Sequence, residues 1–258
     1  LEFGGLMGAL GKYVEIYRVQ LKNNWVREAV YRTNFLSTLA VDIVWIAVEF
    51  SLFAVIYANT QTLAGWSRDQ VYFFLGVFFA SDALFTVFFQ RNFWTFSDLV
   101  NRGDLDTILT RPVSPLFLAL SRTISLSSML NFFMGLAIIV RYSGPANFRG
   151  GWHWLQVPLW LCLGVAAATV LRFVFSIVVF WTDRSWALSR LYYQFFSFAT
   201  KPDPIYPNAI RLLIKTALPF AFIGSVPTRA LLFGLEWSEF ASIFVVLTAF
   251  VFLDRYLW

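Results

Sequence analysis

Charge is missing from this chain in long blocks, and no other feature limits its possible folds as much. Thr123 to Val140 and Phe240 to Leu253 hold no Asp, Glu, Lys or Arg. Val71 to Gln90 holds only Asp82, Ile43 to Gly65 only Glu49, and Trp152 to Thr182 only Arg172. About 20 mainly apolar residues are what a helix needs to cross a bilayer core. Across all 258 residues, 59% are hydrophobic and 14% charged, where soluble domains carry roughly 25% charged residues. A soluble globule of this size exposes too much surface for so few charges. A cytosolic enzyme, a disordered chain and a nucleic-acid binder are therefore excluded. The formal net charge of +5 belongs to loops beside a membrane.

These blocks predict an all-α integral membrane protein with six transmembrane helices, at 34–58, 70–91, 116–141, 152–182, 186–201 and 237–256. The fifth is short. After it, Pro202, Pro204 and Pro207 follow in quick succession, and Pro219 and Pro227 come later. Each proline removes a backbone donor and crowds the preceding turn, so no continuous helix is expected there. Residues 203–232 read instead as a re-entrant or interfacial hairpin before the last span. Broken backbone survives at membrane depth only where protein or a water-filled cavity covers it. Cys162 is the sole cysteine and His153 the sole histidine, which leaves no disulfide framework and no metal cluster. Leu1 to Gly11 lacks the basic start of a secretory signal.

Orientation follows from the basic residues. With the N-terminus in the cytoplasm, Lys12, Arg18, Lys22, Arg27, Arg32, Arg91, Arg102, Arg111, Arg122, Arg184, Arg190 and Arg255 fall inside. An even number of spans puts both termini there. Lys201, Arg211, Lys215 and Arg229 fall outside and run against the rule. Residues 12–32 form an amphipathic helix in this reading: Tyr13, Ile16, Tyr17, Gln20, Leu21 and Asn24 trace one stripe, and Lys12, Arg18, Lys22 and Arg27 suit anionic headgroups. The loop between spans 2 and 3 is equally informative. Gly103 and Asp104 can start a helix with acids at its positive end. Leu105, Ile108 and Leu109 then share a face, and Pro112 stops it. A short helix with an apolar face and a charged rim suits a partner's groove.

The loop sequence Arg102-Gly-Asp-Leu-Asp-x-x-Leu-x-x-Arg-Pro-Val113 resembles the cytoplasmic loop of ABC-2-type permeases, the membrane subunits of ATP-binding-cassette exporters. The proline pattern from Lys201 to Pro207, continued by Pro219 and Pro227, is similar to the segment before that family's last span. The resemblance runs from about residue 12 to the end, nearest the branch often encoded as paired permeases. It implies a bacterial plasma membrane location and a coupling helix at 102–111, in which Arg102, Gly103, Asp104, Leu105, Asp106, Ile108, Leu109, Arg111 and Pro112 dock on an ATPase subunit. It also implies that 12–32 is a connecting helix on the membrane surface and that 203–232 are extracellular re-entrant helices. The implied partners are two ATPase subunits, a second permease (identical or paralogous) and membrane lipids, with no nucleic acid. The chain has no Gly-x-x-x-x-Gly-Lys-Ser/Thr phosphate cradle. ATP and Mg are thus expected in the partner subunit, and this chain is expected to carry no cofactor, metal or catalytic residue of its own.

Four intramembrane charges remain. Asp42 and Glu49 are seven residues apart, nearly on one face of span 1, while Asp82 and Arg172 sit mid-span. A charge left in lipid costs roughly 2.5–3.5 kcal/mol on insertion scales, so each must face protein or water. Two readings are open. Arg172 is a structural ion pair with Asp82 or Glu49, or Asp42, Glu49 and Asp82 flank a translocation path that favours a cationic or amphipathic substrate. The aromatics (thirty Phe, eleven Trp, ten Tyr) crowd spans 2 and 5 as packing mass or as a gate. The function expected is an exporter permease for a hydrophobic or amphipathic molecule of drug, lipid or glycan type. A lipid-modifying membrane enzyme would need clustered His, Asp or Glu at one interface, and only Asp104 and Asp106 are paired. A secondary transporter would show repeats, and the two halves are dissimilar.

Overall fold

The computed structural model describes residues 2–30, 32–181 and 185–258. Tyr31 of the expected 12–32 helix, Thr182 at the end of the expected 152–182 span, and Arg184 lie outside the described residues. The described chain is all-helical. Helix α1 is Glu2–Val30 and α2 is Arg32–Asn59. α3, Arg68–Phe85, passes through one π-helical turn, Thr86–Gln90, into α4, Arg91–Asn101. Two short helices follow, α5 at Asp104–Leu109 and α6 at Pro115–Ser121. α7 is Met129–Ser143, α8 Gln156–Ile177 and α9 Ser185–Phe196. α10, Asn208–Lys215, and α11, Ser225–Leu232, precede the terminal α12, Trp237–Leu257. Among the described residues, five stretches are long and apolar enough to cross a membrane: Phe35–Asn59, Arg68–Asn101, Leu126–Ser143, Gly151–Phe180 and Trp237–Leu257.

α3 is the centre of the bundle. Every residue from Val71 to Ser81 is buried, as expected of a helix that is apolar all round. Its neighbours approach it through small residues, which is how helices pack when lipid removes the hydrophobic drive between them. A Cβ added at Gly135 of α7 would lie 2.6 Å from the Ala80 backbone nitrogen, and one at Gly164 of α8 would lie 2.7 Å from Ser81 Oγ. α2 and α12, in contrast, are mostly exposed along their apolar lengths. Those are the faces left for lipid or a second polypeptide.

The expected 116–141 span does not form as one helix. α6 ends at Ser121, the backbone unwinds, and helix resumes at Leu126. The cause is local. Ser121-Arg-Thr-Ile-Ser-Leu-Ser-Ser128 is rich in hydroxyl side chains that compete for backbone groups. A fully buried Asn92 holds the unwound strand: its Nδ2 donates to the Thr123 carbonyl at 2.8 Å, and its Oδ1 accepts from the Thr123 amide at 2.7 Å. The π-turn leaves the Val87 carbonyl free to accept from the Ser125 amide at 2.9 Å. A π-bulge inside a long helix is often a functional feature, and this one anchors the break opposite it. The 186–201 segment also differs from a regular span: α9 is twelve residues long, extended by a 3₁₀ turn at Ser197–Thr200.

Candidate functional site

Three regions carry polar groups that packing alone does not require. The first lies at the α4–α6 elbow. Gly103 has φ +74° and opens α5, a conformation that glycine reaches without a Cβ penalty. Asp104 and Asp106 then occupy the positive end of the helix. The expected single apolar face of α5 is divided. Leu105 and Ile108 are buried and cluster with Leu99, with Val100 and Leu118 against them. Leu109 is 52% exposed. The inner two residues therefore hold α5 to its own elbow. The surface left is Leu109 with the exposed Arg102, Asp104, Asp106, Arg111 and Pro112.

α1 runs alongside this elbow and is stitched to it in register. Lys12 Nζ donates to the Pro112 carbonyl at 2.9 Å, and the Tyr13 hydroxyl accepts from the Ser114 amide at 3.1 Å. The Tyr13 ring meets Phe117 edge-on at 4.9 Å. Further along, Gln20 accepts from the Ser121 hydroxyl, Asn24 donates to the Arg122 carbonyl, and Glu28 accepts from the Leu126 amide at 2.8 Å. The stripe of Tyr13, Gln20 and Asn24 thus binds the elbow rather than only an interface. These contacts hold α1 against the loop after α5, against α6 and against the turn that leads into α7.

The second region is a cavity of about 510 Å³ between α2, α3, α9 and the chain after α9. Glu49 and Asp82 come together on its walls, with Trp45, Tyr192, Tyr193, Phe196 and Lys201 among the other lining residues. Asp42 is not among them; it accepts a 2.5 Å hydrogen bond from Asn131 Nδ2. Glu49 is buried and pairs with Lys201 at 3.3 Å. Asp82 makes no hydrogen bond or ion pair among the described residues. Tyr206 also faces this cavity; burial pushes its phenol up to about 12, with the Glu49 carboxylate adding to the shift, so it stays a neutral hydrogen-bonding group.

Arg172 does not form the expected ion pair with Asp82 or Glu49. It is 1% exposed, lies 4.7 Å from the Tyr192 ring centre and 5.5 Å from that of Tyr193, and donates to Ser189 at 3.2 Å. Its Nε and Nη1 have no hydrogen-bond partner among the described residues. The reason is spatial: the two tyrosines of α9 stand where a carboxylate would have to enter. Their aromatic faces offset part of the cost of burying the guanidinium. Tyr193 is fixed in turn by Gln90 Nε2 and Trp94 Nε1, each donating to its hydroxyl at 2.7 Å.

The proline-rich segment has its own centre, Asp203, which the sequence reading did not single out. Asp203 is 1% exposed. Its carboxylate accepts from the Ser225 hydroxyl and pairs with Lys215 at 3.1 Å and Arg229 at 3.6 Å. Arg229 also reaches Glu239 at 3.1 Å, and Arg211 donates to the Asp203, Pro204 and Tyr206 carbonyls. The available signal was one acid at 203 in a stretch that is otherwise basic. Pro219 to Thr228 is buried without interruption, with Gly224 close against Phe74 and Phe78 of α3. Protein covers this broken backbone, as physics requires in an apolar medium. Among the described residues no group of three or more His, Cys, Asp or Glu could hold a metal ion.

Comparison with known proteins adds one finding. A family model described as "ABC-2 family transporter protein" matches residues 43–258. No curated protein matches the chain.

Proposed function

The chain belongs to the ABC-2 family of transporter proteins, and from that premise we propose that it is the permease subunit of an ATP-driven exporter, working in a bacterial plasma membrane with both termini cytoplasmic. Two ATPase subunits and a second permease complete the complex, and lipids surround it. ATP and Mg belong to the ATPase subunits. The substrate is hydrophobic or amphipathic, and the cavity bearing Glu49 and Asp82 lies on its path.

The observation that carries this reading is the build of the elbow. α5 is clamped from beneath by Leu105 and Ile108, the chain that follows it is bonded along α1, and Leu109 stays exposed among charges. A small rigid knob with an apolar tip and a charged rim fits a groove on a partner. In this reading α5 is the coupling helix, and α1 carries its movement to the spans. The fifth of the six spans is α9 with its 3₁₀ turn; at helical rises of about 1.5 and 2.0 Å per residue it reaches about 26 Å, close to the ~30 Å bilayer core.

The segment from Asp203 to Leu232 is the re-entrant lid on the outer side. Its basic residues no longer count against that placement once folded. Lys201 is matched by Glu49, Lys215 and Arg229 by Asp203 and Glu239, and Arg211 by three carbonyls. Purification of the chain from its native membrane in mild detergent tests the proposal. A stoichiometric subunit bearing a phosphate-binding loop supports it. A chain that purifies reproducibly alone, or with partners lacking that loop, refutes it.

A further inference from the structure

Three acids lie near the path, and the structure treats them differently. Asp42 is satisfied by Asn131 and Glu49 is neutralised by Lys201. Asp82 faces the cavity with no partner among the described residues. Beside it stands a second unmatched group: Tyr192 is 1% exposed, lines the same cavity, and its hydroxyl has no hydrogen-bond partner among the described residues. A carboxylate at membrane depth without a counter-charge is costly and marks a binding or transport role by default. An unmatched hydroxyl next to it has the same implication.

Half of the other residues lining the cavity carry rings: Trp45, Tyr193, Phe196, Phe198 and Tyr206. Aromatic faces attract cations and repel anions. The volume of about 510 Å³ falls within the roughly 300–1,000 Å³ of small-molecule pockets. Two positive groups must be weighed against this. Lys201 is held at 3.3 Å by Glu49, so that pair adds no net charge. Arg172 lies behind Tyr192 and Tyr193 and does not line the cavity. Coulomb energy falls with distance. A cation in contact with Asp82 is therefore attracted more strongly than it is repelled by a guanidinium that lies outside the lining.

We propose that this cavity is a binding site for lipophilic monocations, with Asp82 as the counter-ion and the surrounding rings as the walls. Glu49 and Lys201 set its charge balance. The proposal rests on the permease reading and narrows its substrate class.

The test uses tetraphenylphosphonium and tetraphenylborate, two ions of one shape and opposite charge. Saturable binding of each is measured to the protein purified with its associated subunits in phosphatidylcholine nanodiscs, with empty nanodiscs as background. Tetraphenylphosphonium should bind saturably and tetraphenylborate should not. Asp82→Asn should weaken the cation by about tenfold, as when one close charge contact is lost. Lys201→Met should tighten it, because Glu49 is then left unneutralised; a variant that only damaged the fold would weaken it. Equal binding of both ions, an unchanged Asp82→Asn, or weaker binding by Lys201→Met overturns the proposal. The two levels of inference separate cleanly. A preparation that carries an ATPase but binds both ions alike keeps the permease and loses the cation site. One that selects the cation but never carries an ATPase keeps the site and loses the permease.

Discussion

Asn92 offers the sharpest test of how the interrupted third span is held. Its side chain is fully buried and makes three hydrogen bonds, two to the Thr123 backbone and one to the Phe88 carbonyl at 3.0 Å. Asn92→Leu keeps the volume and removes all three. The Thr123 amide and carbonyl are then left without these partners in a buried site. Each orphaned group costs about 1–3 kcal/mol, so the pair costs about 2–6 kcal/mol. At roughly 2–4 °C per kcal/mol for a chain of this length, the apparent melting temperature should fall by about 5–20 °C. Detergent-solubilised protein would be heated and the surviving monodisperse fraction read by fluorescence-detected size exclusion. The control is Asn59→Ala. Asn59 bonds the Val55 carbonyl at an exposed helix end, where substitutions stay within about 0.5 kcal/mol. If Asn92→Leu melts together with Asn59→Ala, the break is not held by Asn92 and the account of the split span fails.

Asp203→Asn should destabilise the 203–232 segment by about 3–5 kcal/mol, because Lys215 and Arg229 lose a buried counter-charge; unchanged protease resistance across 202–235 would contradict this. Gly135→Ala places a methyl 2.6 Å from the Ala80 nitrogen, and overpacking of this kind costs about 1–3 kcal/mol. Gly144→Ala meets nothing within 4 Å, so a melting curve showing equal effects at 135 and 144 would dismiss the close α3–α7 approach. The two leucines of α5 should separate. Leu109→Asp is expected to abolish ATPase retention without lowering the melting temperature, whereas Leu105→Asp lowers both, since Leu105 is buried. Identical behaviour of the two variants would remove the distinction between the exposed tip and the clamped base.

The helical, membrane-bound character of the chain was legible because it rests on composition over long windows: a charge-free run such as Phe240 to Leu253 has few other fates. Proline positions were nearly as direct. α10 starts immediately after Pro207, and α11 carries Pro227 in its first turn, where the missing donor matters least. The split of the 116–141 stretch was not legible. Thr123 to Val140 carries no charge, and the side chain that holds its hydroxyl-rich start unwound is a single Asn thirty-one residues before Thr123. Pairing of charges escaped for the same reason. Sequence spacing put Glu49 and Arg172 at membrane depth but could not show that Lys201, 152 residues away, reaches Glu49, or that two tyrosines occupy the place of a carboxylate at Arg172. On α5 the spacing of Leu105, Ile108 and Leu109 fixed a common face. Whether that face turns inward depends on Leu99, Val100 and Leu118, which only the fold brings together.

The central claim is that α5 meets an ATPase on one side of the membrane while the 203–232 segment closes the other. A photo-crosslinking amino acid placed singly at Leu109 and at Asn208, both exposed, tests this in intact cells. Irradiation followed by purification under denaturing conditions shows what each site touches. The account predicts that position 109 captures an ATPase subunit and that position 208 never does. Capture of the ATPase from 208, or none from 109 while the native complex still carries the subunit, would contradict it.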